Sequence, residues 1–162
     1  MRAYLSIGSN IDRERNIRSA LAALRARWPG IVFSPVYESE AVGFEGAAFY
    51  NLAAGFDAEE PLEAVLAALH EIESAHGRQR SGPKFSARTL DLDLLSWGEA
   101  VVDGDPATLP RREILKFDFV LRPLADIAPT QRHPTQGQTY RELWAAFTGP
   151  SSIRGAVSLA EA

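Results

Sequence analysis

The chain contains no cysteine. No disulfide framework, thiolate zinc site or iron–sulfur cluster can form, and the redox compartment is left open. Long apolar runs are missing as well: none approaches the roughly 18–20 residues that a membrane span requires. The N-terminus, MRAYLSIGSN, turns polar too early for a secretory signal, so the cytoplasm is the expected compartment. There is no internal repeat and no low-complexity segment. Nor is there an excess of positive charge. The net charge is −4 and the pI near 5.4, against the basic footprint of a general nucleic-acid binder. What is present, 162 residues with 46% hydrophobic and 23% charged side chains, fits one ordinary soluble domain over 1–162.

The charge is unevenly placed. Residues 57–73 hold six acids (Asp57, Glu59, Glu60, Glu63, Glu71, Glu73) and no Lys or Arg. Residues 78–88 hold four bases (Arg78, Arg80, Lys84, Arg88) and no acid, and Asp91 and Asp93 follow. A local basic cluster on an acidic protein suits a small anionic ligand better than a long polyanion.

Residues 2–8 alternate and close into Gly8-Ser9-Asn10, which predicts a first strand. Helical spacing of Ile17, Ala20, Leu21, Leu24 and Trp28 predicts a helix over 13–27, with Asp12 as N-cap and Pro29-Gly30 as its stop. Residues 31–38 read as a second strand, with Pro35 favouring an edge or an irregularity, and 49–56 as a third. Pro61 opens a second helix with Leu62, Val65, Leu66, Leu69 and Ile72 on one face. Residues 88–97 form the clearest strand. Beyond it, 98–104 suggests a short hairpin and 105–118 a loop. Residues 119–127 read as a strand start or a short helix broken by Pro123. Thr139 caps a last helix through Phe147, and 149–162 is expected to be a weakly ordered tail. The order β-α-β-β-α-β predicts an α+β fold: a ferredoxin-like core, its antiparallel sheet covered on one face by two helices. The other face then needs the C-terminal elements, a ligand, or both.

The segment Arg88-Thr-Leu-Asp91-Leu-Asp93 is the sharpest constellation. Residues two apart on a strand share a face, so Asp91 and Asp93 stand together while Leu90, Leu92 and Leu94 face the core. Two adjacent carboxylates raise one another's pKa unless a cation sits between them, and magnesium is commonly held by such acids together with substrate phosphates. A bare D-x-D is a weak signal and by itself reads better as an exposed strand face paired with Arg88. The preceding Gly/Pro-containing basic loop changes that balance, because acids for a metal beside Arg donors for phosphates are what phosphoryl transfer needs. Phe49, Phe85 and Phe119 sit at loop or strand edges where a planar ring fits, although each alone suits ordinary core packing. Asn51, on the face of Phe49, offers both donor and acceptor to a heterocycle's edge. Gly8-Ser9-Asn10 lacks the further glycines and Lys of a phosphate loop. His70, His76 and His133 share no metal-ligand spacing and read as surface or ligand-edge residues.

Gly8-Ser-Asn10, Tyr37-Glu-Ser-Glu-Ala-Val-Gly43, Phe49-Tyr-Asn51, Glu73-(three residues)-Gly77-Arg-Gln-Arg80, Arg88-Thr-Leu-Asp-Leu-Asp93 and Phe119-Val-Leu-Arg-Pro-Leu occur in this order, continuing to Ile127-Ala-Pro129. Over about residues 3–135 the chain resembles the 6-hydroxymethyl-7,8-dihydropterin pyrophosphokinases of folate synthesis. The resemblance implies a ferredoxin-like core and a cytoplasmic, ATP-dependent enzyme. The pterin hydroxymethyl oxygen attacks the β-phosphorus of ATP, pyrophosphate is transferred and AMP leaves. It implies that Asp91 and Asp93 hold two Mg2+ ions, and that Arg78 and Arg88 contribute with them to catalysis. It places His70, Glu73, Arg78, Arg80, Lys84, Arg88, Leu94, Thr108 and Arg111 at the nucleotide. It places Ser39, Val42, Phe49, Asn51, Phe85, Asp91 and Phe119 at the pterin, the ring sandwiched by Phe49 and Phe119 and covered by Phe85. The partners implied are ATP and a small pterin, with no nucleic acid and no membrane, for a monomer.

The chain departs from the family pattern in four places. The family's Arg-Trp-Gly-Pro-Arg is Lys84-Phe-Ser-Ala-Arg88, and the Gly43–Asn51 segment is one residue shorter. The usual Pro-His is Pro110-Arg111, and Phe117 replaces a basic residue. The alternative reading is therefore a diverged paralogue acting on a related pterin, or a pterin- or nucleotide-binding protein with little turnover. An RNA-binding module shares the element order, but it wants aromatic and basic residues where this strand carries Asp91 and Asp93.

Overall fold

The computed structural model describes residues 1–42, 46–77 and 89–159. The alternating N-terminal segment forms β1 (Arg2–Ser9), and the helical spacing that follows forms α1 (Arg13–Arg27). The second strand is split by Pro35, which has no N–H for a ladder, into β2 (Val32–Phe33) and β3 (Val36–Ser39). Then come β4 (Phe49–Asp57), α2 (Leu62–Ala75) behind Pro61, and β5 (Asp91–Trp97). The C-terminal part adds α3 (Glu113–Lys116), α4 (Asp118–Ile127), α5 (Tyr140–Ala145) and β6 (Ile153–Val157).

The strands pair antiparallel in the order β5-β1-β4-β3-β6, with β2 also on β4. With β2 and β3 counted as one interrupted strand, this is the ferredoxin-like order plus one C-terminal strand. One face carries Ala3, Leu5, Ile7, Leu52, Ala54, Phe56, Leu92 and Leu94 and packs on α1 and α2 through Ile17, Ala20, Leu24, Val65 and Leu69. The other face carries Tyr4, Ala53 and Leu95 and packs on Val120, Leu121, Leu124 and Ala125 of α4 and Tyr140 of α5. Along that second face the side chains change from apolar to polar. Tyr4, Ala53 and Leu95 give way to Ser6, Gly8, Asn51, Asp93 and Asp91, beyond the cover that α4 and α5 provide.

Several local expectations change. Asp12 does not cap α1: its backbone is left-handed (φ 43°, ψ 44°) and its carboxylate meets Arg15 at 3.2 Å. The expected hairpin is reduced to a bridge between Val102 and Leu109. Residues 118–127 are helical despite Pro123, because the helix buries Val120, Leu121, Leu124 and Ala125 against the sheet, and packing outweighs one missing hydrogen bond. Thr139 does cap the last helix, through a reciprocal pair with Glu142, but that helix ends at Ala145. The tail expected to be weakly ordered supplies β6 on the outer side of β3, with Val36↔Val157 and Ser39↔Ile153 paired. His133 is not a surface residue: it is 3% exposed, and its Nδ1 accepts the Thr135 and Gln136 amides within a turn.

Candidate active site

The polar end of the sheet is assembled by register. Gly8 of β1 stands between Asp91 of β5 and Asn51 of β4, and Asn51 in turn faces Tyr37 of β3. Residues directly opposite on neighbouring strands share a face, so Asp91, Gly8, Asn51 and Tyr37 form one row across the sheet. Asp93 lies one row further in, opposite Ser6. The absence of a side chain at Gly8 is what makes the row possible. A Cβ there would lie 2.8 Å from Asn51 Oδ1 and 3.8 Å from the Phe49 ring.

Asp93 is the electrostatic centre of this end. Its side chain is one-third exposed, and burial together with the neighbouring Asp91 carboxylate pushes its pKa up to about 7. Arg111 opposes that shift. Its guanidinium is 3.9 Å from Asp93 and 2.5 Å from Glu113, and its backbone amide donates to the Leu95 carbonyl. Two oxygen donors side by side, one of them raised in pKa by burial and by the other acid, fit a hard divalent cation. Among the described residues no group of three or more His, Cys, Asp or Glu side chains is placed to hold a metal ion.

On the other side of Gly8, Asn51 is 5% exposed and donates from Nδ2 to Ser39 Oγ at 2.5 Å. This fixes the amide orientation and leaves Oδ1 on the Gly8 side. Phe49, two residues earlier, is half-buried on the same face. Phe119, in the first turn of α4, is half-buried and stacks on Phe117 with centroids 5.1 Å apart and planes at 17°. Val42 is half-buried just beyond β3. The register therefore brings the Asn51 amide, the Ser39 hydroxyl and the Phe49 ring to the same end of the sheet as the pair of carboxylates.

The remaining site residues fall around β5. Glu73 of α2 is fully buried, and its Oε2 accepts the Leu92 amide at 2.8 Å, between the two aspartates. His70, one turn earlier, is exposed. The Leu94 side chain is in the core, and the residue pairs with Leu5 of β1. Thr108 is half-buried and accepts the Gly104 amide through Oγ1 at 3.3 Å. Arg78, Arg80, Lys84, Phe85 and Arg88 lie outside the described residues.

The structure also shows residues that spacing did not single out. Ser9 Oγ donates to the Thr89 carbonyl at 2.6 Å, and Asn10 Nδ2 to the Ala47 carbonyl at 3.0 Å. The Ser9-Asn10 pair, which is no phosphate loop, thus ties the segments leading into β4 and β5 to β1. Arg13 adds a bond to the Ala48 carbonyl (2.9 Å), an ion pair with Glu38 (2.7 Å) and a stack over Tyr50. Tyr37 donates to Asp126 of α4, with Arg122 over its ring. The signal available in the sequence was a polar doublet, Ser9-Asn10, at the end of a buried strand.

Residues 4–129 match the family model of 7,8-dihydro-6-hydroxymethylpterin-pyrophosphokinase. The chain is 38% identical over 163 residues to a 2-amino-4-hydroxy-6-hydroxymethyldihydropteridine pyrophosphokinase of Pseudomonas aeruginosa, covering 96% of this chain and 98% of that protein. It is 36% identical over 157 residues to the pyrophosphokinase of the same name from Methylorubrum extorquens, covering 94% and 96%. It is 30% identical to the folic acid synthesis protein fol1 of Schizosaccharomyces pombe, where the match covers 97% of this chain but 23% of that longer protein. With its sheet, its paired carboxylates and these relatives, the chain belongs to the 7,8-dihydro-6-hydroxymethylpterin-pyrophosphokinase family.

Proposed function

We propose that this chain transfers the pyrophosphoryl group of ATP to the hydroxymethyl oxygen of 6-hydroxymethyl-7,8-dihydropterin, using the polar end of the sheet around Gly8 as its site. One O–P bond forms at the β-phosphorus, the bond between that phosphorus and the α-phosphate oxygen breaks, and AMP leaves. The observation that carries this reading is the row Asp91–Gly8–Asn51. Asp91, with Asp93 one row further in, lies across Gly8 from an amide of fixed orientation, which supports a site where phosphates and a heterocycle meet over one glycine.

In this reading Asn51 pairs with the pterin edge and Ser39 holds the amide in register. Phe49 and Phe119 take the ring faces, Val42 lines the pocket, and Phe85 covers it. Asp91 and Asp93 are the residues that hold Mg2+, two ions in our assignment, and Asp91 also borders the pterin. Bound there, the metal neutralises phosphate charge and makes the hydroxyl a better nucleophile. Arg78, Arg80, Lys84 and Arg88 supply donors to the phosphates, Arg78 and Arg88 nearest the transfer. His70, Glu73, Leu94, Thr108 and Arg111 border the nucleotide. No protein nucleophile is called for, since positioning and charge neutralisation account for catalysis of this kind. We read these residues as belonging to one domain that acts as a monomer. The need for ATP supports the cytoplasm. Among the described residues no helix is long and apolar enough to cross a membrane.

The test is AMP formation from ATP and Mg2+ with and without the pterin, with the pterin product weighed by mass spectrometry. Pterin-dependent AMP and a product heavier by two phosphates are expected. Pterin binding without AMP would favour the diverged, non-transferring alternative.

The raised pKa of Asp93 gives a second expected result. Between about pH 4 and pH 7 the folded protein holds a proton that the unfolded chain releases. The metal-free protein therefore loses stability as pH rises through that window. A cation that displaces this proton stabilises little at low pH and most above about pH 7. Thermal melts with and without Mg2+ should show a larger stabilisation at about pH 8 than at about pH 5. Asp93→Asn should erase the difference. Equal Mg2+ shifts at both pH values would remove Asp93 from the metal site.

A further inference from the structure

Asp118 is the first residue of α4 and directly precedes Phe119, yet its side chain is turned away from the site and is 4% exposed. Its carboxylate accepts three hydrogen bonds from the C-terminal segment: from the Ser152 amide at 2.8 Å, the Ser152 hydroxyl at 2.5 Å and the Ile153 amide at 3.0 Å. Ser152 is held from its other side as well. Its carbonyl accepts the Glu40 amide at 2.9 Å, at the end of β3, and Ile153 pairs with Ser39. The chain entering this junction passes close over the turn between α3 and α4. A side chain at Gly149 would lie 3.1 Å from the Lys116 carbonyl.

We infer that Asp118 and Ser152 are positioning residues for the pterin pocket, because their contact clamps the wall that carries Phe119 to the strand end that carries Ser39. This rests on the pterin reading above. The two walls belong to elements far apart in sequence and meet here through a few polar atoms of a segment that lies beyond the family match at residue 129. The opposite end of α4 is tied to the same strand by the Tyr37–Asp126 bond. Helix α4 is thereby fixed to β3 at both ends, and the separation of Phe119 from the Asn51–Ser39 pair is set by the clamp. A carboxylate at a helix N-terminus is favourably placed, and three donors leave it few unmet needs despite its burial. Loosening it lets Phe119 drift from its ring-stacking position without touching the acids or the nucleotide side.

Steady-state kinetics of Asp118→Asn and Ser152→Ala, with melting temperatures measured alongside, test this. Asp118→Asn keeps the shape but cannot accept three donors, and Ser152→Ala removes one bond alone. KM for the pterin should rise about tenfold in Asp118→Asn and about threefold in Ser152→Ala, with kcat and KM for ATP within about twofold of the parent. Loss of an interaction common to ground and transition states raises KM and spares kcat. A merely structural clamp would lower the melting temperature and leave pterin KM in place. That result in both variants overturns the inference, and if Asp118→Asn does not fold, Ser152→Ala decides. A parent protein that turns over no pterin fails the functional reading instead, so the two failures are distinguishable.

Discussion

Asp93→Ala lowers pyrophosphate transfer by roughly a thousandfold while leaving a folded protein; this is the largest effect expected of any single change here. Asp93 and Asp91 are the two acids of β5, and removing either halves the charge that the pair offers a cation. Removing Asp93 leaves Arg111 without its acid partner at 3.9 Å but still paired with Glu113 at 2.5 Å. Phosphates then approach a site with one of its two acids gone, which binds ATP without activating the hydroxyl. The loss should therefore fall on kcat, with KM for ATP changing little. The fold should persist, since the side chain is one-third exposed and its burial costs rather than contributes stability at neutral pH. Single-turnover measurement of AMP release decides it, and near-normal turnover would remove the metal role from this residue.

Asn51→Leu weakens pterin binding by about a hundredfold and spares the nucleotide. Leucine has nearly the same size, so the replacement tests chemistry rather than shape. Asn51 is buried, its Nδ2 is committed to Ser39 at 2.5 Å, and its Oδ1 lies where Gly8 leaves room. A site built to exchange hydrogen bonds with a ligand loses on both sides when its amide becomes a hydrocarbon. The heterocycle's donor and its acceptor are both left unpaired against a buried hydrocarbon, at about 1–3 kcal/mol for each group. Two such losses amount to the hundredfold expected. Quenching of pterin fluorescence gives the affinity directly, and KM for ATP is the internal control. Unchanged quenching would place the pterin elsewhere on the sheet.

The elements with local signals were legible in the sequence. Leu90, Leu92 and Leu94 alternate with Asp91 and Asp93, and a period of two leaves one way to lay that segment on a core. Pro61 and Pro35 acted where they stand, as a helix start and a strand break. The exceptions share a cause. Asp12 looked like a cap because its residue type is right, but capping is a matter of φ and ψ, and its left-handed backbone denies it. Pro123 looked like a breaker because local rules give it that meaning. The buried face formed by Val120, Leu121, Leu124 and Ala125 overrides it, and nothing within ten residues announces the sheet they cover.

The same division runs through the site. By itself the sequence determined which chemistry is available: paired carboxylates after a basic loop, an Asn two residues from an aromatic, and the order of motifs that belongs to a pterin pyrophosphokinase. These are properties of residue type and short spacing, which local geometry converts directly into a shared face. The tertiary structure decided which groups meet. Gly8 became the hinge of the row because β4 and β5 flank β1 in one register. Glu73 came to the Leu92 amide because α2 lies over β5, and the segment 149–157 became a strand and a clamp because β3 had an edge to pair and Asp118 had donors to find. Contacts of that kind join residues tens of positions apart. Their partners are chosen by packing the whole chain at once, so no window of sequence contains them.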